Sequence, residues 1–532
     1  MQCARFPCAL AWTGKNPLDT STNWTELRVL TQTKTPLRFL LTGAGIQMTS
    51  IAVSAVIGFL LTPLLIHTLG DRDYGLLDLI GSFAGWLGLM DFGLSGAVAR
   101  YVAVHFSQGN PNESYAYATT GFYVYIGLGV VAFVTALTST LALPWLISDP
   151  NDIPLIRTLI IIAGASFAID LPLRALSGII NGFMRRDVTG WLSLISRIIR
   201  AFATVGILLL GGRLIALSRG SLILTIAIGY MWWHATRRIA PTFTLDTKLV
   251  SRKRIHTLMS FGGISFVGNL AESIVFRLDG FVIAYFVSIA AVPHYSIAIG
   301  LASYFQAVMV ALTSWLINWF VHQGTKGKSA IDESLFFCTR ACVIVGGFCL
   351  FGLIAFGSPF IERWMGTDYL DAYPCLVALS IGEFFRSFQR PNLNLLYAQA
   401  KQHIYALSTV AEAILNLILS IILVKKHGIL GVAIGTMVAS IIVNGVVFPT
   451  ACCLAMRANF IRYWAAVLHG MATSAVLVVL PIILMNNFAA ANYAVLVLMG
   501  VISGFLYIPP ALVLGMTRNE RMQIFAALRR KV

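Results

Sequence analysis

Nine arginines stand inside stretches of this chain that are otherwise apolar: Arg100, Arg174, Arg197, Arg200, Arg219, Arg277, Arg340, Arg386 and Arg390. No lysine shares such a position. A guanidinium keeps its charge when buried and offers a planar fork of donors matched to phosphate oxygens, whereas a buried lysine readily loses its proton. Seven acids accompany them: Asp78, Asp91, Asp170, Glu272, Asp279, Glu383 and Glu412. On the membrane-insertion scale a charge at the centre of an apolar helix costs about 2.5–3.5 kcal/mol, so this many charges imply a polar cavity between helices.

Spacing sorts the charges. Asp170 and Arg174 are four residues apart, and Glu383, Arg386 and Arg390 share one helix face, so each set can pair within its own helix. Arg100 and Arg340 lie near the ends of their runs and can reach polar surroundings along their stems. Arg174, Arg197, Arg200, Arg386 and Arg390 remain as candidates for binding an anion. Arg174 and Arg390 occupy matching positions in the two halves of the chain, and two guanidiniums aimed into the gap between those halves would suit a diphosphate. Glu272, Asp279, Glu383 and Glu412 are either counter-charges or carboxylates that exchange H+ or Na+, since burial in a low-dielectric cavity favours the protonated acid. Glu272 and Glu412 are the better coupling candidates, because neither has a basic residue three or four positions away.

The elements that must hold these groups are helices. Of 532 residues, 58% are hydrophobic and 11% charged, and the mean hydropathy is +0.80. Runs of about 20 apolar residues, each long enough to cross a bilayer as a helix, recur from Gly43 to Thr517. The reading is an all-α polytopic membrane protein of about 14 transmembrane helices, arranged as two pseudo-symmetric six-helix lobes and a C-terminal pair. A tail over 1–42 is expected to be disordered, followed by lobes at 43–236 and 257–457. A basic linker at 237–256 joins the lobes; the extra pair spans 458–515 and a basic tail 516–532.

Charge supports this count. With both termini in the cytoplasm, basic residues concentrate in the inner segments, above all in Arg237 to Arg254, which holds six of them against Asp246. That is the positive-inside pattern, and Lys425-Lys426, placed in an outer turn, is its exception. Membrane topology accounts for most of the net charge of +16 without a nucleic-acid partner. The eight cysteines form no CxxC pair, and those inside the runs are read as small packing residues.

The halves match at an offset of 216 residues. Gly212 falls on Gly428, the break Arg185-Arg186-Asp187 on Lys401-Gln402-His403, and Arg174 on Arg390. Weak internal symmetry of this kind is common in transporters, with the substrate site between the repeats.

The stretch from Leu69 to Tyr101 carries a signature: Leu69-Gly70, Tyr74-Gly75-Leu76, Asp91-Phe92-Gly93-Leu94 and Arg100-Tyr101. With Asn181 to Trp191 and the Gly428, Gly431-Val432-Ala433 segment, it resembles Wzx-type polysaccharide flippases of the multidrug/oligosaccharidyl-lipid/polysaccharide exporter superfamily. The last pair of spans is similar to the fourteen-span lipid II flippases. The resemblance implies an inner-membrane protein of bacteria that moves an oligosaccharide on undecaprenyl pyrophosphate by alternating access, in the service of surface polysaccharide synthesis. It implies no cofactor and no bond chemistry. A polysaccharide synthesis complex is the further partner it suggests.

Two other functions stay open on the residues alone. A multidrug antiporter exporting organic cations favours an excess of cavity acids, and here arginines outnumber acids. A membrane glycan polymerase or ligase needs a large outer catalytic loop, and the longest outer segment, about Gly357 to Asp371, is short. Gly327-Lys328-Ser329 lacks the first glycine of a phosphate-binding loop, which His322 replaces, so ATP drive is not encoded there. The histidines lack metal-ligand spacing.

Overall fold

The computed structural model describes residues 36–146, 152–241, 243–485 and 493–515, and every regular element in them is a helix. The first half comprises α1 (Pro36–Leu69), α2 (Asp71–Leu87), α3 (Leu94–Ser107), α4 (Pro111–Ser139), α5 (Ile153–Gly182), α6 (Arg186–Leu209) and α7 (Leu214–Ile239). After the linker come α8 (Arg252–Phe286), α9 (Val292–Thr313), α10 (Leu316–Gly324), α11 (Lys328–Trp364), α12 (Ala372–Ser387), α13 (Arg390–Ala398) and α14 (His403–Ile442). The chain continues through α15 (Phe448–Met456), α16 (Phe460–Met485) and α17 (Tyr493–Leu514).

Among the described residues, ten helical segments are long and apolar enough to cross a membrane. One of them, His403–Met456, is 54 residues long, well beyond the roughly 20 residues of a single crossing. It folds back at Gly428, whose φ of 56° and ψ of −136° are backbone angles that glycine adopts most readily. The two arms are in close contact: a Cβ at Gly431 would lie 2.3 Å from the Leu423 carbonyl oxygen, and one at Gly435 2.8 Å from the Ser420 nitrogen. Lys425, Lys426 and His427 are exposed at this hairpin.

Three runs that read as single spans are broken. The α2–α3 run passes through a 3-10 turn at Gly88–Asp91, then through Phe92 (φ 48°) and Gly93 (φ 66°), both left-handed. The α9–α10 run breaks at Ser314 and Trp315. The α12–α13 run breaks at Phe388 and Gln389, because Pro391 in the first turn of α13 has no amide hydrogen to give to the preceding turn. At the N-terminus, α1 begins at Pro36, so residues 36–42 are helical rather than part of a disordered tail. Proline is well tolerated in a first helical turn. The rest of that tail, 1–35, and the basic tail 516–532 lie outside the described residues.

The repeat is visible in backbone geometry. Met184 (φ 61°), where the chain turns from α5 to α6, and Ala400 (φ 54°), where it turns from α13 to α14, are both left-handed non-glycine residues, and they stand at the offset read from the sequence.

One hydrophobic core runs from Leu76 to Leu258 and uses α2 through α7 and the start of α8. Two others draw on the second half, with Ile66 of α1 joining the first of these. The linker is a strap as well as a charged loop. Phe243 is fully buried in the first core, and α4 holds the backbone through Thr119 Oγ1 to Thr244 O (2.8 Å) and Tyr123 Oη to Leu245 O (3.0 Å). Arg254 closes the strap with two bonds to Glu113, at 2.8 and 3.2 Å. The end of the bundle carrying this strap is called the linker side below, and the opposite end the far side. The extra pair packs on α11: Gly347 leaves room for Ser474, whose hydroxyl meets that of Tyr507 at 2.9 Å. The six described cysteines are free and mostly buried.

Candidate functional site

Two cavities adjoin at one shared residue, Arg277 of α8: one lies within the first half and the other between the halves. The first-half cavity, about 610 Å³, is formed by α1, α2, α5, α6 and α7, with Asp170, Arg174 and Arg200 among apolar walls such as Leu77, Ile80 and Phe167. The second, about 630 Å³, lies toward α8 and α9 and is lined by Tyr74, Asp78, Ser296, Tyr304 and Gln306.

Arg174 donates from Nε to Asp170 Oδ2 at 3.3 Å, and both side chains are open to the cavity, at 36% and 37% exposure. Its guanidinium lies over the Phe167 ring, 5.3 Å from the centroid, a cation–π arrangement that leaves the charge available at the edge. Arg200 Nη2 donates to Thr225 Oγ1 at 3.2 Å. Arg277 is exposed at the meeting of the cavities, and its guanidinium presses on the backbone of α2. A Cβ at Gly85 would lie 2.1 Å from Nη1, so a side chain there would push the guanidinium aside.

The other expected anion binders are placed differently. Arg197 donates to the hydroxyls of Ser50 (3.2 Å) and Ser54 on α1. Arg386 is 11% exposed and held by two carboxylates, Glu383 at 3.1 Å and Glu412 at 2.6 Å. Arg390 lines neither large cavity, and its Nε is buried without a hydrogen-bond partner among the described residues. The structure therefore gathers Arg174, Arg200 and Arg277, and keeps Arg197, Arg386 and Arg390 apart from them. The Arg174–Arg390 pair does not meet in either cavity, because the α12–α13 break re-aims the helix where α5 runs on through Pro172.

Among the acids, Asp279 is 2% exposed and accepts from Tyr295 Oη and, at 3.0 Å, from Thr436 Oγ1. Thr436 also reaches Asn416 Oδ1 at 3.3 Å, and Ser420 reaches the same oxygen at 2.8 Å. Glu412 has a basic partner on a neighbouring helix, Arg386, which spacing along its own helix cannot reveal. The side chain of Glu272 lies outside the described residues. No group of three or more His, Cys, Asp or Glu with metal-holding geometry occurs among the described residues.

The signature residues have structural reasons. Tyr74 lines the second cavity. Gly75 lets α2 approach the Ile289 carbonyl, which a Cβ would meet at 2.3 Å. Asp91 accepts from the buried Tyr125 hydroxyl where the helix breaks, and Gly93 supplies the left-handed exit. Arg100 lies over the Tyr101 ring at 6.0 Å.

The far side is closed between the halves. Phe59 of α1 stacks on Trp364 of α11 with centroids 5.7 Å apart, and Trp364 Nε1 donates to the Phe59 carbonyl at 2.8 Å. Tyr369 donates to Asp71 at 2.5 Å. Burial, and then that bond and the carboxylates around it, push the Tyr369 hydroxyl above its ordinary value, so it remains a donor.

Arg277 and Gly85 were the residues that spacing arguments passed over. Arg277 has no acid three or four residues away on its helix, and its meeting with Gly85 is made across the two halves.

A family profile described as polysaccharide biosynthesis protein matches residues 40–320. A putative O-antigen transporter of Shigella flexneri is 24% identical over 382 residues, covering 69% of this chain and 86% of that protein. Two solved structures share the fold, each with a TM-score of 0.63. The lipid II flippase MurJ in an inward closed conformation is 16% identical, covering 88% of this chain and 98% of its own. An inward-facing multidrug resistance MATE family transporter is 12% identical, covering 78% and 98%.

Proposed function

This chain belongs to the polysaccharide biosynthesis protein family, and we propose that it is a flippase for an oligosaccharide carried on undecaprenyl pyrophosphate. The observation that carries the reading is the convergence of Arg174, Arg200 and Arg277 on two adjoining cavities, one within the first half and one between the halves. Guanidiniums facing a cavity shielded from bulk water bind a diphosphate by charge-assisted bonds, often two to each group. The same walls leave a polyprenyl tail free to stay in the lipid.

The linker side is assigned to the cytoplasm of a bacterial inner membrane, with both termini there, from its basic residues. The headgroup enters from that side, and release on the far side requires the Phe59–Trp364 and Asp71–Tyr369 contacts to separate. Asp279 is the residue assigned to coupling. Its carboxylate, with the Thr436 and Asn416 oxygens beside it, is suited to a proton or to a hard cation such as Na+, whereas Glu383 and Glu412 serve Arg386. Bond chemistry has no place in this scheme.

Extrusion of organic cations is the second reading, since the fold is shared with a multidrug transporter. Three arginines against Asp78 and Asp170 in the cavities favour an anionic cargo. Deleting the gene in its own host separates the two. Accumulation of lipid-linked oligosaccharide on the inner leaflet with loss of surface polysaccharide is expected; unchanged polysaccharide with new sensitivity to cationic drugs overturns the flippase reading.

A further inference from the structure

We propose that the two cavities divide the headgroup between them: Arg277, with Arg174 and Arg200, holds the diphosphate, and the cavity of Tyr74, Asp78, Ser296, Tyr304 and Gln306 holds the first sugars. This rests on the flippase reading and adds to it the part of the wall that reads the glycan.

The linings differ in kind. Tyr74, Tyr295, Tyr304 and Trp364 border the second cavity, while among the described residues no tyrosine or tryptophan borders the first. Sugar rings present apolar C–H faces that lie on aromatic rings and hydroxyl edges that bond to planar polar groups. An aromatic ring with a polar tip serves both needs. In the first cavity the one aromatic ring among the described residues, Phe167, is covered by the Arg174 guanidinium, and the serine and threonine hydroxyls there stand beside two further arginines, a donor set suited to phosphate oxygens.

The polar groups of the second cavity are also placed to be used. Asp78 accepts from Ser296 Oγ at Oδ2, 2.7 Å away, and has further acceptor capacity for a sugar hydroxyl. Gln306, half-buried in the wall, has no hydrogen-bond partner among the described residues, and an amide offers both donors and an acceptor. It also borders the small pocket that contains Glu383, Arg386 and Thr436, so a sugar on Gln306 touches the region assigned to ion coupling. Tyr304 lays its hydroxyl against Gly58 of α1, where a Cβ would come within 2.5 Å. The first helix thereby sets the angle of that ring. A volume of about 630 Å³ falls in the range of about 300–1,000 Å³ typical of small-molecule sites, enough for a short oligosaccharide.

The test compares two lipids on the full chain in nanodiscs: lipid-linked oligosaccharide extracted from gene-deleted cells, and undecaprenyl diphosphate without sugar. Gln306→Ala, and separately Gly58→Ala, which moves Tyr304 without altering the groups that line the cavity, are expected to weaken the glycosylated lipid about tenfold, the equivalent of about one hydrogen bond. Both should leave undecaprenyl diphosphate binding unchanged. Arg277→Ala should weaken both lipids by at least that factor. If Gln306→Ala and Gly58→Ala affect both lipids equally, or neither, the division of the headgroup is wrong while wild-type binding keeps the flippase reading alive. A wild-type protein that binds neither lipid removes that reading itself.

Discussion

The two halves turn the same corner at Met184 and Ala400, yet they treat their charges in opposite ways. In the first half Arg174 shares one bond with a half-open Asp170 and faces a cavity. In the second, Arg386 is clamped between Glu383 and Glu412, each side chain only 4% exposed. By the 216-residue offset Asp170 falls on Arg386 and Arg174 on Arg390, so the repeat has kept its turns while its charges differ: a pair open to a cavity in one half, a self-neutralising buried cluster in the other. The bend that separates them is local: Pro391 ends the run of α12, while Pro172 is absorbed within α5.

The largest expected effect comes from breaking the buried side of that contrast. Arg386→Ala leaves the buried Glu383 and Glu412 without their shared counter-charge and is expected to cost about 3–5 kcal/mol, read as a fall in thermal midpoint in detergent. Asp170→Ala removes the carboxylate partner of Arg174 in the first half and should cost under about 1 kcal/mol, because that pair is half-solvated. Equal losses from the two substitutions would mean that the halves are not different in kind.

Transport should show the reverse order. Arg174→Ala is expected to slow movement of lipid-linked oligosaccharide about 10- to 100-fold, as loss of a charge-assisted bond would, with the thermal midpoint kept. Arg386→Ala should lower the midpoint before any transport defect can be separated from it. A smaller effect is expected of Gly85→Ala, which pushes the Arg277 guanidinium off its seat. The side chain is long enough to find another position, so a loss of about tenfold in transport is expected, with folding intact.

The sequence made the helical class, the order of the spans and the linker-side charge bias legible, because apolar length and basic loops are properties of each segment by itself. It also showed the repeat, through breaks rather than identities. What spacing could not show was any partner on another helix. Glu412 looked free because Arg386 lies on α12, and the contact of Arg277 with Gly85 joins two helices that lie far apart in the chain. The breaks at Phe92-Gly93 and Phe388-Gln389 were hidden inside hydrophobic runs of ordinary length, although Pro391 marked the second. Arg390, just past that break, lines neither large cavity.

The smallest predicted effect concerns the seam that closes the far side. Tyr369→Phe removes the bond to Asp71, worth about 1 kcal/mol, and should raise the far-side-open population about fivefold. Labelling of a cysteine introduced at Ser303, in a background without reactive thiols, reads that population from outside. Because the Tyr369 hydroxyl stays protonated, its contribution to the seam should be flat across the physiological pH range.

The most direct measurement is flipping in sealed vesicles. Lipid-linked oligosaccharide is placed in one leaflet and its arrival in the other is followed with a membrane-impermeant glycosidase, for the wild type and for Arg277→Ala. The account predicts time-dependent transfer by the wild type and a rate at least tenfold lower for Arg277→Ala at equal reconstitution. Transfer by Arg277→Ala at the wild-type rate would contradict it, since the residue shared by both cavities would then contribute nothing to the cargo.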